Sequence, residues 1–203
     1  MYSKNTEGTL AFQEQDQHKI AGGQINETPG NLFDYENDYA LAHWISADSR
    51  FDVGISKFFQ ARYSVRDEFR QRFAHWGGSG LCLATNNNKV FNLVIKQYQY
   101  EQPLLRNVEL ALAHMKLIAE ERNVYKIALP RIYTSRDAAD FTGFAWQDVK
   151  DIIVTLFGST QFDIRIVYLE ECLNGNILDP DLEYINFGKD RKHIDGNLEH
   201  KYY

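Results

Sequence analysis

Lys96 closes the apolar run Phe91 to Ile95 with a primary amine. A lysine held beside apolar walls gives up its proton more easily, and the free amine is a nucleophile toward a sugar aldehyde carbon. The ordinary alternative is a solvated lysine at a strand end. A second stretch suits an anion. Ala47 to Val53 is polar and carries Asp48, Arg50 and Asp52; Gly54 then opens a segment in which Ile55, Phe58, Phe59 and Tyr63 fall at helical spacing. A loop feeding a helix in this way presents backbone N–H groups and the positive end of the helix dipole, which suits a phosphate. A plain strand-to-helix turn with a glycine has the same appearance.

Other chemistries find little support. The histidines His18, His43, His75, His114, His193 and His200 form no His-x-x-x-His pair and have no neighbouring cysteine, so no metal centre is indicated. His43 lies inside an apolar run and reads as a core histidine satisfied by hydrogen bonds. There is no Gly-x-Ser-x-Gly nucleophile elbow and no Gly-x-Gly-x-x-Gly dinucleotide fingerprint. Gly77-Gly78-Ser79-Gly80 lacks the P-loop pattern and reads as a flexible turn between a helix and a strand. No cofactor is implied.

The elements that must position these residues follow from periodicity. Ala40 to Ser46 is short enough for a buried strand ahead of the Gly54 helix. Ser64 to Asp67 has capping-box spacing, and Phe69 and Phe73 give the next helix its apolar face. Leu81–Thr85 and Val90–Ile95, joined by Asn86-Asn87-Asn88-Lys89, read as an antiparallel hairpin, since asparagine tolerates left-handed backbone. Val108, Leu112, Met115 and Ile118 mark a helix that stops near Asn123. Lys126 to Leu129 is a strand halted by Pro130, and Arg131 to Ala145 is a long loop. Trp146, Val149, Ile152, Ile153 and Leu156 mark another helix, and Phe162 to Leu169 a final strand. Thr28-Pro29-Gly30-Asn31 is a turn signal, with a short strand around His18 to Ile25 before it. Strands alternating with helices predict an α/β layered fold with a mixed sheet, in which ligands gather at the carboxyl ends of the parallel strands.

With 203 residues, the chain is expected to be one domain with appendages. A hydrophobic fraction of 44% supplies a real core. The net charge of -6 and absence of a basic patch argue against direct duplex nucleic acid. Cys82 and Cys172 are far apart and read as isolated thiols of a reducing compartment. The opening seventeen residues have no apolar core, and no run approaches a membrane span. The expected protein is therefore intracellular, off the membrane, and monomeric. Residues 1–23 are expected as a flexible arm, 24–172 as the folded domain and 173–203 as a polar tail.

The order of pieces resembles the macro domain family, and within it the terminal ADP-ribose protein glycohydrolase branch. The residues that carry the resemblance are Gly30-Asn31-Leu32-Phe33, Leu41 to Asp48, Gly54-Ile55, Leu93-Val94-Ile95-Lys96, Pro103, Pro130-Arg131-Ile132, Trp146 and Val167-Tyr168-Leu169. They run in order from about Ile25 to Leu169.

The resemblance implies a three-layer α/β/α sandwich around a mixed sheet, and ADP-ribose or an ADP-ribosylated protein as partner. It implies that Asn31 receives the adenine amino group, with Leu32, Tyr168 and Leu169 beside the base. Val53, Gly54, Ile55 and Ser56 would wrap the diphosphate, Ser46 would line the distal ribose, and Ile132, Tyr133, Thr134 and Ser135 would form the second loop. Lys96 falls at the family's catalytic lysine. The family's glycine-containing turn is replaced by Tyr133-Thr134-Ser135-Arg136-Asp137, and its aspartate position falls on Thr142, leaving Asp140 or Asp137 as the available carboxylates. Asp52 stands where the family has a glycine. The implied function is hydrolysis of ADP-ribose from acidic side chains with Lys96 as nucleophile and Asp140 as acid/base. The alternatives are an ADP-ribose reader without turnover, or an interaction domain that has lost the ligand.

Overall fold

The computed structural model describes residues 23–52, 54–75, 77–132 and 144–168. Six strands form one sheet: β1 (Gln24–Pro29), β2 (Ala40–Ser46), β3 (Leu81–Thr85), β4 (Val90–Lys96), β5 (Lys126–Pro130) and β6 (Asp163–Tyr168). Their spatial order is β1-β6-β5-β2-β4-β3. The first five in that order are parallel, and β3 alone runs antiparallel, paired to β4. The helices described are α1 (Gly54–Tyr63), α2 (Val65–Phe73), α3 (Leu105–Glu121) and α4 (Trp146–Phe157).

The period-two alternation of the strands assigns each helix pair to a face. On β4, Phe91, Leu93 and Ile95 enter a cluster with Val108, Leu112 and Met115 of α3 and Val149, Ile153 and Phe157 of α4. Val90 and Val94, one residue out of phase, enter a second cluster with Phe59 of α1 and Val65 and Phe69 of α2. The result is the three-layer α/β/α sandwich with a central mixed sheet.

The hairpin forms with Thr85 opposite Val90. Asn86, Asn87 and Asn88 all take positive φ, 51°, 52° and 67°. Asn123 (φ 56°) likewise lies just past the end of α3.

Two local expectations need correction. Thr28 and Pro29 end β1 instead of forming a turn; β1 begins at Gln24, and His18 lies outside the described residues. Proline is tolerated there because β1 is an edge strand among the described residues, with β6 as its partner. The capping box at Ser64 does not form. Ser64 is left-handed (φ 50°) without a side-chain cap, and the Gln60 Oε1 accepts from the Arg66 N–H at 2.8 Å instead.

The other edge, β3, is blunted by side chains. His114 Nδ1 accepts from the Cys82 N–H (3.2 Å), Arg72 donates to the Ala84 carbonyl (3.0 Å), and Glu68 accepts from the Asn86 N–H (2.7 Å). Outward-facing backbone groups occupied in this way are poor templates for another strand.

One polar network crosses the core. His43 and Asn92 face each other across β2 and β4, both fully buried. Asn92 Nδ2 donates to the Leu83 carbonyl (2.8 Å) and to Thr85 Oγ1 (3.0 Å), which fixes the amide orientation and turns Oδ1 toward His43 Nε2 at 2.9 Å. Nε2 therefore carries the proton. Nδ1 has no partner among the described residues, and the ring stacks on Phe59 with centroids 4.0 Å apart.

Candidate functional site

Five parallel strands end on one rim, and the described candidate residues lie at or beside it. Asn31 follows β1, Tyr168 ends β6, Ile132 follows β5, Ser46 ends β2 and Lys96 ends β4. Brought together by the sheet order, they form a line from β1 to β4. Four strand spacings of about 4.8 Å make that line ~19 Å long.

At the β1 end the Gly30 N–H donates to the Tyr168 carbonyl at 2.9 Å, joining the Asn31 turn to the end of β6. Asn31 is buried, and its Oδ1 accepts from the Phe33 N–H at 3.0 Å, capping a 3-10 turn over Leu32–Tyr35. One lone pair of that oxygen remains for a further donor. Leu32 and Ile132 are correspondingly core residues, at 2% and 6% exposure, packed in the second and first clusters. Each leaves the rim its main chain more than its side chain.

The neighbouring cluster was not legible as a unit in the sequence. Glu27 of β1 binds Arg131 Nε (2.7 Å), Lys150 Nζ (2.9 Å) and Trp146 Nε1 (2.9 Å). Burial works to raise the Glu27 pKa, but the Lys150 hydrogen bond, the Arg131 and Lys150 charges and the Trp146 N–H outweigh it and hold the carboxyl below its ordinary value. Arg131 also stacks between Trp146 and Tyr168, its guanidinium carbon 5.3 and 5.0 Å from the two ring centroids. This end of the rim is thus framed by an immobilised arginine and two rings.

In the middle of the rim, Gly54 opens α1 with φ +53°, and an added Cβ would meet open space, so glycine is favoured there by backbone conformation alone. Ser56 is buried in the first turn and Ile55 packs against the second cluster. The loop before it is anchored by Phe51, 1% exposed, with φ +58°. Its ring packs on Phe69 at 5.2 Å and near His43 at 6.1 Å. A left-handed phenylalanine costs of order 1–2 kcal/mol, and such strain persists where the surroundings over-determine a loop. An aromatic residue inside an otherwise polar loop was the sequence signal for this anchor.

At the β4 end, Ser46 is buried and opposite Lys96, after a register shift at Ile45/Ser46. The Ala47 N–H donates to the Lys96 carbonyl (2.9 Å) and the Asp48 N–H to the Gln97 carbonyl (3.2 Å), so the β2 loop is sewn to the turn after β4. Lys96 Nζ donates to the Gln99 carbonyl (2.5 Å) and the Glu101 carbonyl (3.1 Å). Burial lowers the Lys96 pKa, against the opposing pull of Asp48 and Glu101. Glu101 Oε2 in turn accepts from the Gln97 and Tyr98 N–H groups, at 3.0 Å each. Val53, Tyr133, Thr134, Ser135, Asp137, Asp140, Thr142 and Leu169 lie outside the described residues.

A cavity of about 430 Å³ opens elsewhere, against β3 between α2 and α3, lined by Arg72, His75, Cys82, His114 and Arg122 among others. None of its lining residues belongs to the rim. Among the described residues, no three His, Cys, Asp or Glu side chains group as metal ligands, and no helix is long and apolar enough to cross a membrane.

The rim and sheet order can be set against known proteins. No family model matches the chain. It is similar to the ADP-ribose glycohydrolase OARD1 of Homo sapiens, 25% identical over 148 residues, which is 73% of this chain and 93% of that protein. Among solved structures it resembles the macrodomain of Thermus aquaticus DarG, with a TM-score of 0.58 and 18% identity, covering 72% of this chain and 99% of that one. It also resembles the Oceanobacillus iheyensis macrodomain with ADP, at a TM-score of 0.54 and 11% identity, covering 84% and 94%. The fold is that of the macro domains.

Proposed function

We propose that the chain binds ADP-ribose along the rim and releases it from modified proteins by hydrolysis. The observation that carries this reading is the gathering on one rim of Asn31 after β1, Ser46 and the Gly54 turn after β2, and Lys96 at the end of β4, with a half-buried amine at one end. The likeness to a glycohydrolase and to an ADP-bound macrodomain supports it. In this reading Asn31 accepts from the adenine amino group, with the Leu32 main chain, Tyr168 and Leu169 beside the base. The turn Val53-Gly54-Ile55-Ser56 holds the diphosphate with main-chain N–H groups, opposite the loop Ile132 to Ser135. Ser46 lines the distal ribose.

Lys96 is the nucleophile. A neutral amine has two N–H donors and one lone pair; the carbonyls of Gln99 and Glu101 take the donors and leave the lone pair for chemistry. The lone pair forms a bond to the anomeric carbon of the distal ribose, and the bond to the carrier's carboxylate breaks, its electron pair leaving with that carboxylate. The nitrogen sheds a proton, with Asp140 as the acceptor. Water then adds to the same carbon, the carbon–nitrogen bond breaks, and ADP-ribose leaves with Lys96 restored. Lys96→Ala is expected to abolish release of ADP-ribose from a protein modified on glutamate, while the variant still binds free ADP-ribose. Unchanged release in the variant overturns the mechanism.

A second reading has a specific motive. Two hydrogen bonds also suit an ammonium that merely braces the turn, and the family's aspartate position falls on Thr142. On that reading the chain is an ADP-ribose reader. Calorimetric binding beside no turnover favours it, and any Lys96-dependent turnover excludes it.

A further inference from the structure

The turn that holds the Lys96 amine also carries two rings that stand outside both core clusters. Tyr98 and Tyr100 are 43% and 80% exposed. Their rings are stacked, 5.4 Å between centroids and 2° from parallel. Neither belongs to a core cluster. Leu104, at the start of α3, adds a third exposed apolar side chain at 64%. Among the described residues, three of the six large hydrophobic side chains that stand in solvent fall between 98 and 104. Such a concentration marks a contact surface more often than chance exposure does.

The turn is also rigid before any ligand arrives. Lys96 Nζ ties down the Gln99 and Glu101 carbonyls, Glu101 Oε2 ties the Gln97 and Tyr98 N–H groups, and the Glu101 N–H donates to the Tyr98 carbonyl at 3.0 Å. Rigid aromatic side chains on a fixed turn bind with little loss of conformational freedom.

Position decides what they contact. The nucleotide end of the rim is at β1 and β6, and the amine is at β4. Whatever is attached beyond the distal ribose must leave past β4, over the turn 97–101. We infer that Tyr98 and Tyr100 form a docking platform for the polypeptide that carries the ADP-ribose, gripping the backbone and side chains next to the modified residue. Charge selects a peptide over a nucleic acid. The adjoining loop exposes Asp48 and Asp52 against the single cation Arg50, Glu101 lies in the turn itself, and the chain carries a net charge of -6, a balance that repels a phosphate backbone. The inference rests on ADP-ribose lying along the rim with its distal ribose at Lys96.

Calorimetry on the full chain separates the two claims. The ligands are free ADP-ribose, a peptide carrying ADP-ribose through a hydrolysis-resistant amide, and an oligonucleotide carrying it. The wild-type chain is expected to bind the peptide roughly tenfold more tightly than free ADP-ribose, the range of a modest aromatic hot spot. The double variant Tyr98→Ser, Tyr100→Ser should lose that advantage and keep its affinity for free ADP-ribose. Equal affinity for both ligands in the wild type, or an equal loss for both in the variant, overturns the platform while leaving the nucleotide site standing. A platform-dependent gain for the oligonucleotide in place of the peptide overturns the choice of partner. Failure of the wild type to bind any of the three overturns the rim reading itself.

Discussion

Acid should destabilise this fold through one buried ring. His43 is fully buried, its Nε2–H is committed to Asn92, its Nδ1 has no partner among the described residues, and its ring is stacked on Phe59 with Phe51 nearby. A second proton would sit on Nδ1 with no acceptor, so burial depresses the pKa from 6.5 to about 4, against a small opposing effect of the Asn92 hydrogen bond. Above 6.5 the ring is neutral in both the folded and the unfolded chain and contributes no pH dependence. Below it the unfolded chain takes up a proton that the folded chain refuses until about pH 4, and stability falls by about 1.4 kcal/mol per pH unit. Between about pH 7.5 and about pH 4.5 the loss from this ring amounts to roughly 2–3 kcal/mol, a large part of a typical domain's stability. The comparison chain is His43→Gln, which cannot take up the proton and keeps a donor near Asn92. Urea unfolding at the two pH values gives the difference directly. The drop in unfolding free energy should be smaller in the variant by that amount, while contributions from Glu27 and His114 cancel between the two chains. An equal drop in both chains would refute the reasoning and mean that water or a rearranged network serves the protonated ring.

Two further outcomes follow from the rim. Gly54→Ala should lower stability by about 1–2 kcal/mol in thermal unfolding and weaken ADP-ribose binding, because the backbone is left-handed although the space for Cβ is open. Gly54→Asn should lose less, since asparagine tolerates that conformation. Glu27→Gln should cost about 1–3 kcal/mol in urea unfolding near neutral pH, by stripping Arg131 and Lys150 of their shared carboxylate. That loss should shrink as pH falls through the depressed Glu27 value, where the native carboxyl is itself protonated.

Much of the architecture was legible because the central strands are apolar runs and the helices keep their period. Phe91 to Ile95 and Lys126 to Leu129 read as buried strands, and both lie in the interior of the sheet. Beyond Gln24 and Ile25, β1 escaped notice because its residues, QINETP, are polar and end in proline; a sheet edge accepts both, and Glu27 becomes half-core only once Arg131, Trp146 and Lys150 surround it. Those three partners are more than a hundred residues away in sequence, so no local pattern could announce the cluster. Lys96 and Gly54 were visible as a strand-ending amine and a helix-opening glycine. Phe51 left one sign, a ring in a polar loop, but its left-handed backbone is a property of the folded loop. Leu32 and Ile132 sit at the expected places in the chain, yet their side chains went to the core, because a rim residue after a strand can face either way.

The account stands or falls on where the distal ribose lies relative to one nitrogen. A crystal structure of the full chain with ADP-ribose bound measures it. The account predicts the nucleotide along the ends of β1, β6, β5, β2 and β4, with Lys96 Nζ about 3–4 Å from the anomeric carbon, the separation a near-attack geometry requires. A ribose more than about 6 Å from that amine, or a nucleotide seated in the cavity against β3, would contradict it.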